Sequence, residues 1–201
     1  NVALVKKRAP DAPIGSLAML FDPVVLAKTK DCGVTVLDAP EEVYPAALAY
    51  LGKNPTSTDT ADLAAVRNVL AKARPFWRYI HSSTYINDIA NGAICVAMGY
   101  AGDLVQARER AKEAKAGVEV AIFLPKEGAA YNIDVMAIPA DAPHPENAHA
   151  FINFILTPKV IGPITNAVGY ANAVPEADAF TEADLLKDPA VKPPAEVKLY
   201  T

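Results

Sequence analysis

Three observations predict an α/β fold with a mostly parallel sheet flanked by helices. Short apolar or β-branched runs at 34–37, 76–80 and 93–98 alternate with longer segments whose apolar residues recur at helical spacing. The run 93–98 (AICVAM) is apolar on both alternating faces, as a parallel strand covered by helices requires. It leads into Gly99-Tyr100-Ala101-Gly102-Asp103, where small residues let the backbone approach whatever Tyr100 and Asp103 face. In open α/β sheets ligands bind just past the carboxyl ends of strands. An aromatic ring and a carboxylate at such a place suit a cation with an apolar body, because the ring face attracts ammonium while the carboxylate neutralises charge. The plainer alternative is a capped strand-to-helix turn with a half-exposed tyrosine.

In chain order, residues 1–5 read as the tail of a strand and 6–15 as a loop with two prolines. Asp22-Pro23 supplies an N-cap and a first-turn proline for a helix that ends at Cys32-Gly33, and 34–37 follows as a strand. Pro40-Glu41-Glu42 opens the next helix with carboxylates at its positive end; Val43, Ala47, Leu48 and Leu51 form its stripe, and Pro45 marks a kink or boundary. A polar loop at 53–58 precedes a helix over 60–74, then a strand over 76–80. Ser82 and Ser83 are candidate N-caps for a short helix carrying Tyr85, Ile86 and Ile89, with Asn91-Gly92 as its stop. The segment 103–115 has Asp at its start, an Ala-rich middle and Lys at its end, which predicts a helix closed by Gly117. Strands are expected at 118–124 and 133–138, separated by 125–132. Helices are expected at 145–156 and 158–168, the second distorted by Gly162-Pro163. The Pro- and Ala-rich residues after Tyr170 read as a wrapping tail.

Composition narrows the function classes. The 201 residues are 52% hydrophobic, 21% charged and 7% aromatic, which fits a folded α/β chain with room for one large or two small domains. A net charge of −4 offers no basic stripe for phosphates, so nucleic acid is not an expected partner. No run approaches the roughly 18 apolar residues that span a bilayer, and no signal peptide is visible. His81, His144 and His149 lack metal-ligand spacing, and no metal or other cofactor is expected. Cys32 and Cys95 fit equally as buried thiols or as one disulfide. His81 beside Ser82 raises a hydrolase reading, against which stands the absence of a GxSxG elbow.

The runs DCGVTVLDAPEEVYPAALAYLGKNP, YIHSSTYINDIANGAICVAMGYAGD, RAKEAKAGVEVAIFLPKEGA and GYANAVPEA closely resemble the periplasmic polyamine-binding proteins that feed ABC transporters, the putrescine branch above all. The likeness covers nearly the whole chain, and its motifs are specific as a set. It implies a type II periplasmic-binding-protein-like fold of two α/β lobes with the ligand clamped between them. Residues 1–131 then form the second lobe, 132–178 a returning part of the first lobe, and 179–201 a return to the second. Family chains are markedly longer, so a fragment without its signal peptide is expected, located in the periplasm.

The resemblance also implies site residues. Tyr100 matches the family's cleft aromatic, Asp103 the carboxylate three residues on, and Asp134 a second ligand carboxylate. Glu42 resembles the acidic residue at a helix start, Ser82 the hydroxyl after a strand, and Tyr170 the aromatic of the GYANA run. A diammonium ligand has two heads that each donate up to three hydrogen bonds, so separated carboxylates with aromatic walls between them suit it. Two departures stand out. Tyr100 occupies a position where the family commonly has Trp, and Asn132 one where it commonly has another ring, which bears on ligand length. Because strand neighbours face opposite sides, Tyr131 is a poor substitute for the missing ring. A Cys32–Cys95 disulfide is implied by family cysteines and an oxidising compartment. The implied function is a non-catalytic receptor for a putrescine-like polyamine, partnered by an ABC permease. The alternatives are a small-molecule hydrolase on an α/β fold or a sensing protein that docks to a signalling partner. An incomplete first lobe further predicts a homodimer through the exposed segment.

Overall fold

Signals at the helix ends account for most of the architecture in the computed structural model, which describes all 201 residues. The chain opens with α1 (Val2–Arg8), where the sequence had suggested a strand tail. An apolar run of four residues fits either state; the Asn1 side chain accepts the Leu4 amide, and Lys6, Lys7 and Arg8 complement the helix dipole at the other end. After α2 (Ala18–Phe21), Asp22 caps α3 (Pro23–Thr29) by accepting the Val24 amide at 2.8 Å. Strand β1 (Val34–Val36) leads to α4 (Pro40–Tyr50), which runs through Pro45 without ending there. Asp59 caps α5 (Thr60–Ala73) through the Ala61 and Asp62 amides. Only the last two residues of 76–80 pair as β2 (Tyr79–Ile80), because Arg74–Phe76 is taken by a 3-10 turn. Then come α6 (Tyr85–Ala90), β3 (Val96–Ala97) and α7 (Ala101–Ala114).

The three strands form one parallel sheet in the order β2-β1-β3, with Thr35 opposite both Tyr79 and Ala97. All of β1 is buried, as a central strand covered on both faces must be. The chain steps from β1 to one side for β2, then crosses to the other side for β3, so the crossover direction reverses between β1 and β3. Such a switch point opens a crevice at the carboxyl edge of the sheet. At the opposite edge Cys32 and Cys95 form a disulfide, which settles the two readings of the cysteines. The core of 28 buried residues runs from Val5 to Val120 and includes Phe21, Leu26, Leu48 and Tyr85. Trp77 packs edge-on against Phe21 and donates its indole N–H to the Leu20 carbonyl at 2.9 Å.

Beyond residue 120 the sequence expectations fail for strands and hold for helices. Neither 118–124 nor 133–138 joins a ladder; the pairing found is parallel, between β4 (Ala129–Ala130) and β5 (Leu199–Tyr200). Helices α8 (Pro145–Ile155) and α9 (Pro158–Val168) meet at 71°, and no single helix is long and apolar enough to cross a membrane. Gly162-Pro163 does not interrupt α9. A Cβ on Gly162 would lie 2.7 Å from that of Phe180, so the glycine admits the 3-10 turn Pro175–Phe180 against the helix. The tail, with α10 (Ala183–Leu186), returns to α7 through an ion pair between Arg108 and Asp188 at 2.6 Å.

Candidate ligand-binding site

The loops leaving the three parallel strands carry most of the predicted site. After β1 the chain passes Asp38 and enters α4, whose first turn holds Glu41 and Glu42. After β2 come His81 and Ser82, and after β3 come Tyr100 and Asp103 at the start of α7. Glu42 and Tyr100 therefore flank the β1/β3 switch point.

Asp103 is held from two sides. Tyr85 Oη donates to its Oδ2 at 2.7 Å, and Tyr170 Oη donates to its Oδ1 at 2.9 Å. The two glycines of the Gly99–Asp103 turn make room for those rings. A Cβ on Gly99 would lie 2.4 Å from the Tyr85 ring, and one on Gly102 2.1 Å from that of Tyr170. The close approach expected from small residues is thus real, with tyrosine rings as the approaching groups. Burial and then the hydrogen bond to Asp103 push both phenols well above the ordinary tyrosine range. They remain neutral donors to the carboxylate. Each carboxylate oxygen keeps a second acceptor position after one phenol is satisfied.

Glu42 is buried, and its Oε1 accepts from the Asn132 side-chain amide. Asn132, read from the sequence as a lost ring, supplies a polar partner to a predicted ligand carboxylate instead. Asp134 lies two residues on, exposed. Burial, followed by the charges of Glu42, Glu41, Asp103 and Asp134, raises the Tyr100 phenol above its usual range. Four carboxylates thus act on one ring, which makes the surroundings of Tyr100 electronegative. Tyr200, from β5, is pushed up to about 12 by burial and then by Glu42. An apolar cavity of about 250 Å³ lies alongside, lined by Leu20, Met98, Leu104 and Ile122 as well as by Glu42, Tyr100 and Asn132.

Of the six predicted residues, Asp103 and Tyr170 are joined by a hydrogen bond and Glu42 and Tyr100 line one cavity, while Asp134 reaches them only through its charge. Ser82 stands apart. Its Oγ accepts the Asp38 amide at 3.0 Å, tying together the loops after β2 and β1. Nor does Ser82 or Ser83 cap α6 with a side chain; Nδ1 of His81 takes the Ser83 and Thr84 amides at 3.1 and 3.2 Å. No hydrogen bond joins Ser82 to His81: the imidazole Nδ1 bonds to Ser83 and Thr84, and the Ser82 hydroxyl to Asp38, so the pair that raised a hydrolase reading is not assembled. Sequence reasoning missed Tyr85, which at a core-facing helical position reads as packing alone. Gly99 and Gly102 were the available signal.

A profile of the family described as bacterial extracellular solute-binding protein matches residues 1–193. The chain belongs to that family. This solute-binding protein is 49% identical over 194 residues to the putrescine-binding periplasmic protein PotF of Escherichia coli, covering 95% of the present chain and 52% of PotF. It is 45% identical over 193 residues to the putrescine-binding periplasmic protein SpuD of Pseudomonas aeruginosa, covering 95% of this chain and 53% of SpuD. The chain spans about half the length of these relatives. Its fold superposes on the TpPotD lipoprotein of Treponema pallidum with a TM-score of 0.76 at 25% identity, covering 98% of this chain and 59% of the other. The fold is therefore that of periplasmic binding proteins, and the family is one of binding proteins rather than enzymes.

Proposed function

We propose that these 201 residues are part of a periplasmic receptor that captures a putrescine-like polyamine and presents it to an ABC permease. The observation that carries the reading is the Asp103 carboxylate, held by two neutral phenols beside Tyr100 at the switch point of a parallel sheet. An ammonium head meets a preformed acceptor there, and the ring face of Tyr100 offers a cation-π partner. Glu42 and Asp134 supply further negative charge for a second head and Tyr170 completes the rim, while Ser82 acts at one remove by tying the loops after β1 and β2. The names of the relatives support putrescine as the ligand class.

In this reading 1–131 is the second lobe, 132–178 belongs to the first lobe, and 179–201 returns to the second. The exposure of Ile133, Val135, Phe151 and Phe154 supports that division, since so many large apolar side chains left bare within 132–178 ask for a cover. In a preparation of the 201-residue chain alone, a second copy covers them, and sedimentation would then give a dimer. An ammonium at a half-built, wet site gains little against its hydration, so the isolated chain binds several kcal/mol more weakly than the complete receptor.

Isothermal titration of the complete receptor with putrescine, cadaverine and spermidine tests the function. The expected result is saturable one-to-one binding of at least one of them with no ester turnover. Absence of binding for all three, or ester hydrolysis that Ser82→Ala abolishes, would overturn it.

A further inference from the structure

We infer that Tyr85, a residue with no exposed surface, is the positioning residue of the ligand site and sets the Asp103 carboxylate and the Tyr100 backbone with one hydroxyl. The inference rests on the receptor reading above and extends it to a group that cannot itself reach a ligand. The Tyr85 hydroxyl stands at a junction. It donates to Asp103 Oδ2 at 2.7 Å and accepts the Tyr100 amide at 3.0 Å. Tyr100 is the N-cap residue of α7, and no side chain caps that helix, so the bond from Tyr85 is what fixes the chain where β3 turns into α7. Ring and carboxylate lie three residues apart on that turn, and the one hydroxyl keys both.

The rest of the turn is shaped around this contact. Gly99 leaves the space that the Tyr85 ring fills, since a Cβ there would overlap the ring at 2.4 Å. Tyr170 reaches the other oxygen of Asp103 from the far side, but it is 37% exposed and follows Gly169 at the end of α9. The two phenols are therefore unequal. Tyr85 belongs to the buried core beneath the site, whereas Tyr170 arrives from the end of α9, outside that core. Asp103 keeps its orientation through Tyr85 whether or not Tyr170 is seated. A carboxylate fixed before the ligand arrives loses less freedom on binding, which is how a group without ligand contact raises affinity.

Tyr85→Phe keeps the ring and removes only the junction. In the complete receptor this variant should retain the wild-type far-ultraviolet spectrum and weaken putrescine binding about ten- to hundredfold, the usual scale for a hydrogen bond to a charged group. In an Asp103→Asn background the same change should cost at least about threefold less than in the wild-type background, because the part that acts through Asp103 is already gone and only the Tyr100 contact is left. A merely structural tyrosine would instead cost the same in both backgrounds. Wild-type affinity in Tyr85→Phe, or equal losses in the two backgrounds, overturns the inference. A ligand-free readout separates it from the functional reading: exchange of the Tyr100 amide with solvent should quicken at least about tenfold in Tyr85→Phe. Faster exchange in a receptor that binds no polyamine would uphold the positioning contact and reject the ligand assignment. Unchanged exchange would reject the contact itself.

Discussion

Residues 1–131 and residues 132–178 of this chain contain similar proportions of apolar side chains but use them differently. In the first region the sheet, the disulfide and α1 to α7 enclose a core that extends from Val5 to Val120. In the second, α8 buries no residue at all, and Phe151 and Phe154 are 57% and 61% exposed. The two predicted aspartates follow the same division. Asp103 has a phenol on each oxygen, whereas Asp134 is exposed on a segment outside any helix or strand. A binding group is only as well defined as the element beneath it. On the receptor reading proposed above, the first region would supply a preformed half-site and the second would need a covering surface.

The largest effect expected on the first region comes from its cross-link. Replacing Cys32 and Cys95 by alanine, at a sequence separation of 63, should lower stability to urea by about 4 kcal/mol on chain-entropy grounds. Amide exchange in α8 should hardly respond, since α8 leans on nothing in that core. Leu48→Ala should cost about 3 kcal/mol, because Leu48 is buried in the core and leaves a cavity. Comparable protection of α8 and β1 in the wild-type chain would break the contrast between the regions.

Alkaline titration gives a smaller, signed effect. Burial and Asp103 raise the folded-state pKa of Tyr85, while the unfolded chain ionises its tyrosines near pH 10. Below that pH the contribution is fully present. Above it the unfolded state loses protons that the folded state keeps, so stability falls as pH rises, by up to about 1.4 kcal/mol per unit for this one group. Urea unfolding between pH 8 and 11 should show the decline, and Tyr85→Phe should lessen it while the other raised tyrosines, Tyr170 and Tyr200 among them, keep the remainder. The smallest effect belongs to the second region: Phe154→Asp should change monomer stability by less than about 0.5 kcal/mol. It should also suppress any dimer seen by sedimentation, and a dimer that survives the charge would locate the contact elsewhere.

Most longer helices were legible in the sequence from a local signal at one end, whereas α1 was read as a strand tail despite its Asn1 cap. Asp22-Pro23, Pro40, Pro145, Pro158 and Gly169 all bound helices that the structure contains. Strands were legible only where partners exist. The run VEVAIFL has every local feature of a strand, yet it joins no ladder, and β propensity is largely a statement about the pairing a strand finds. Ala129 and Leu199 pair although neither stands in a strand-like run, because the returning tail brings them together. The site shows the same limit. Asp103 and Tyr100 could be read from a turn motif, and Tyr170, Glu42 and Asp134 from resemblance. The hydrogen bond from Asn132 to Glu42 and the junction at Tyr85 depend on side chains distant in sequence. Ser82 was legible as a polar residue at a strand end, but its actual partner, the Asp38 amide, was not.

Calorimetric titration of putrescine into the complete receptor, comparing wild type with Asp103→Asn, tests the account at its centre. The substitution keeps the shape of the side chain and removes the charge that both phenols and the ammonium head address. The expected outcome is a loss of roughly 2 to 5 kcal/mol in binding free energy, since one ammonium head would be buried without its counter-charge. Unchanged affinity in Asp103→Asn would contradict the account, because the ligand would then be held somewhere other than the turn that Tyr85 and Tyr170 support.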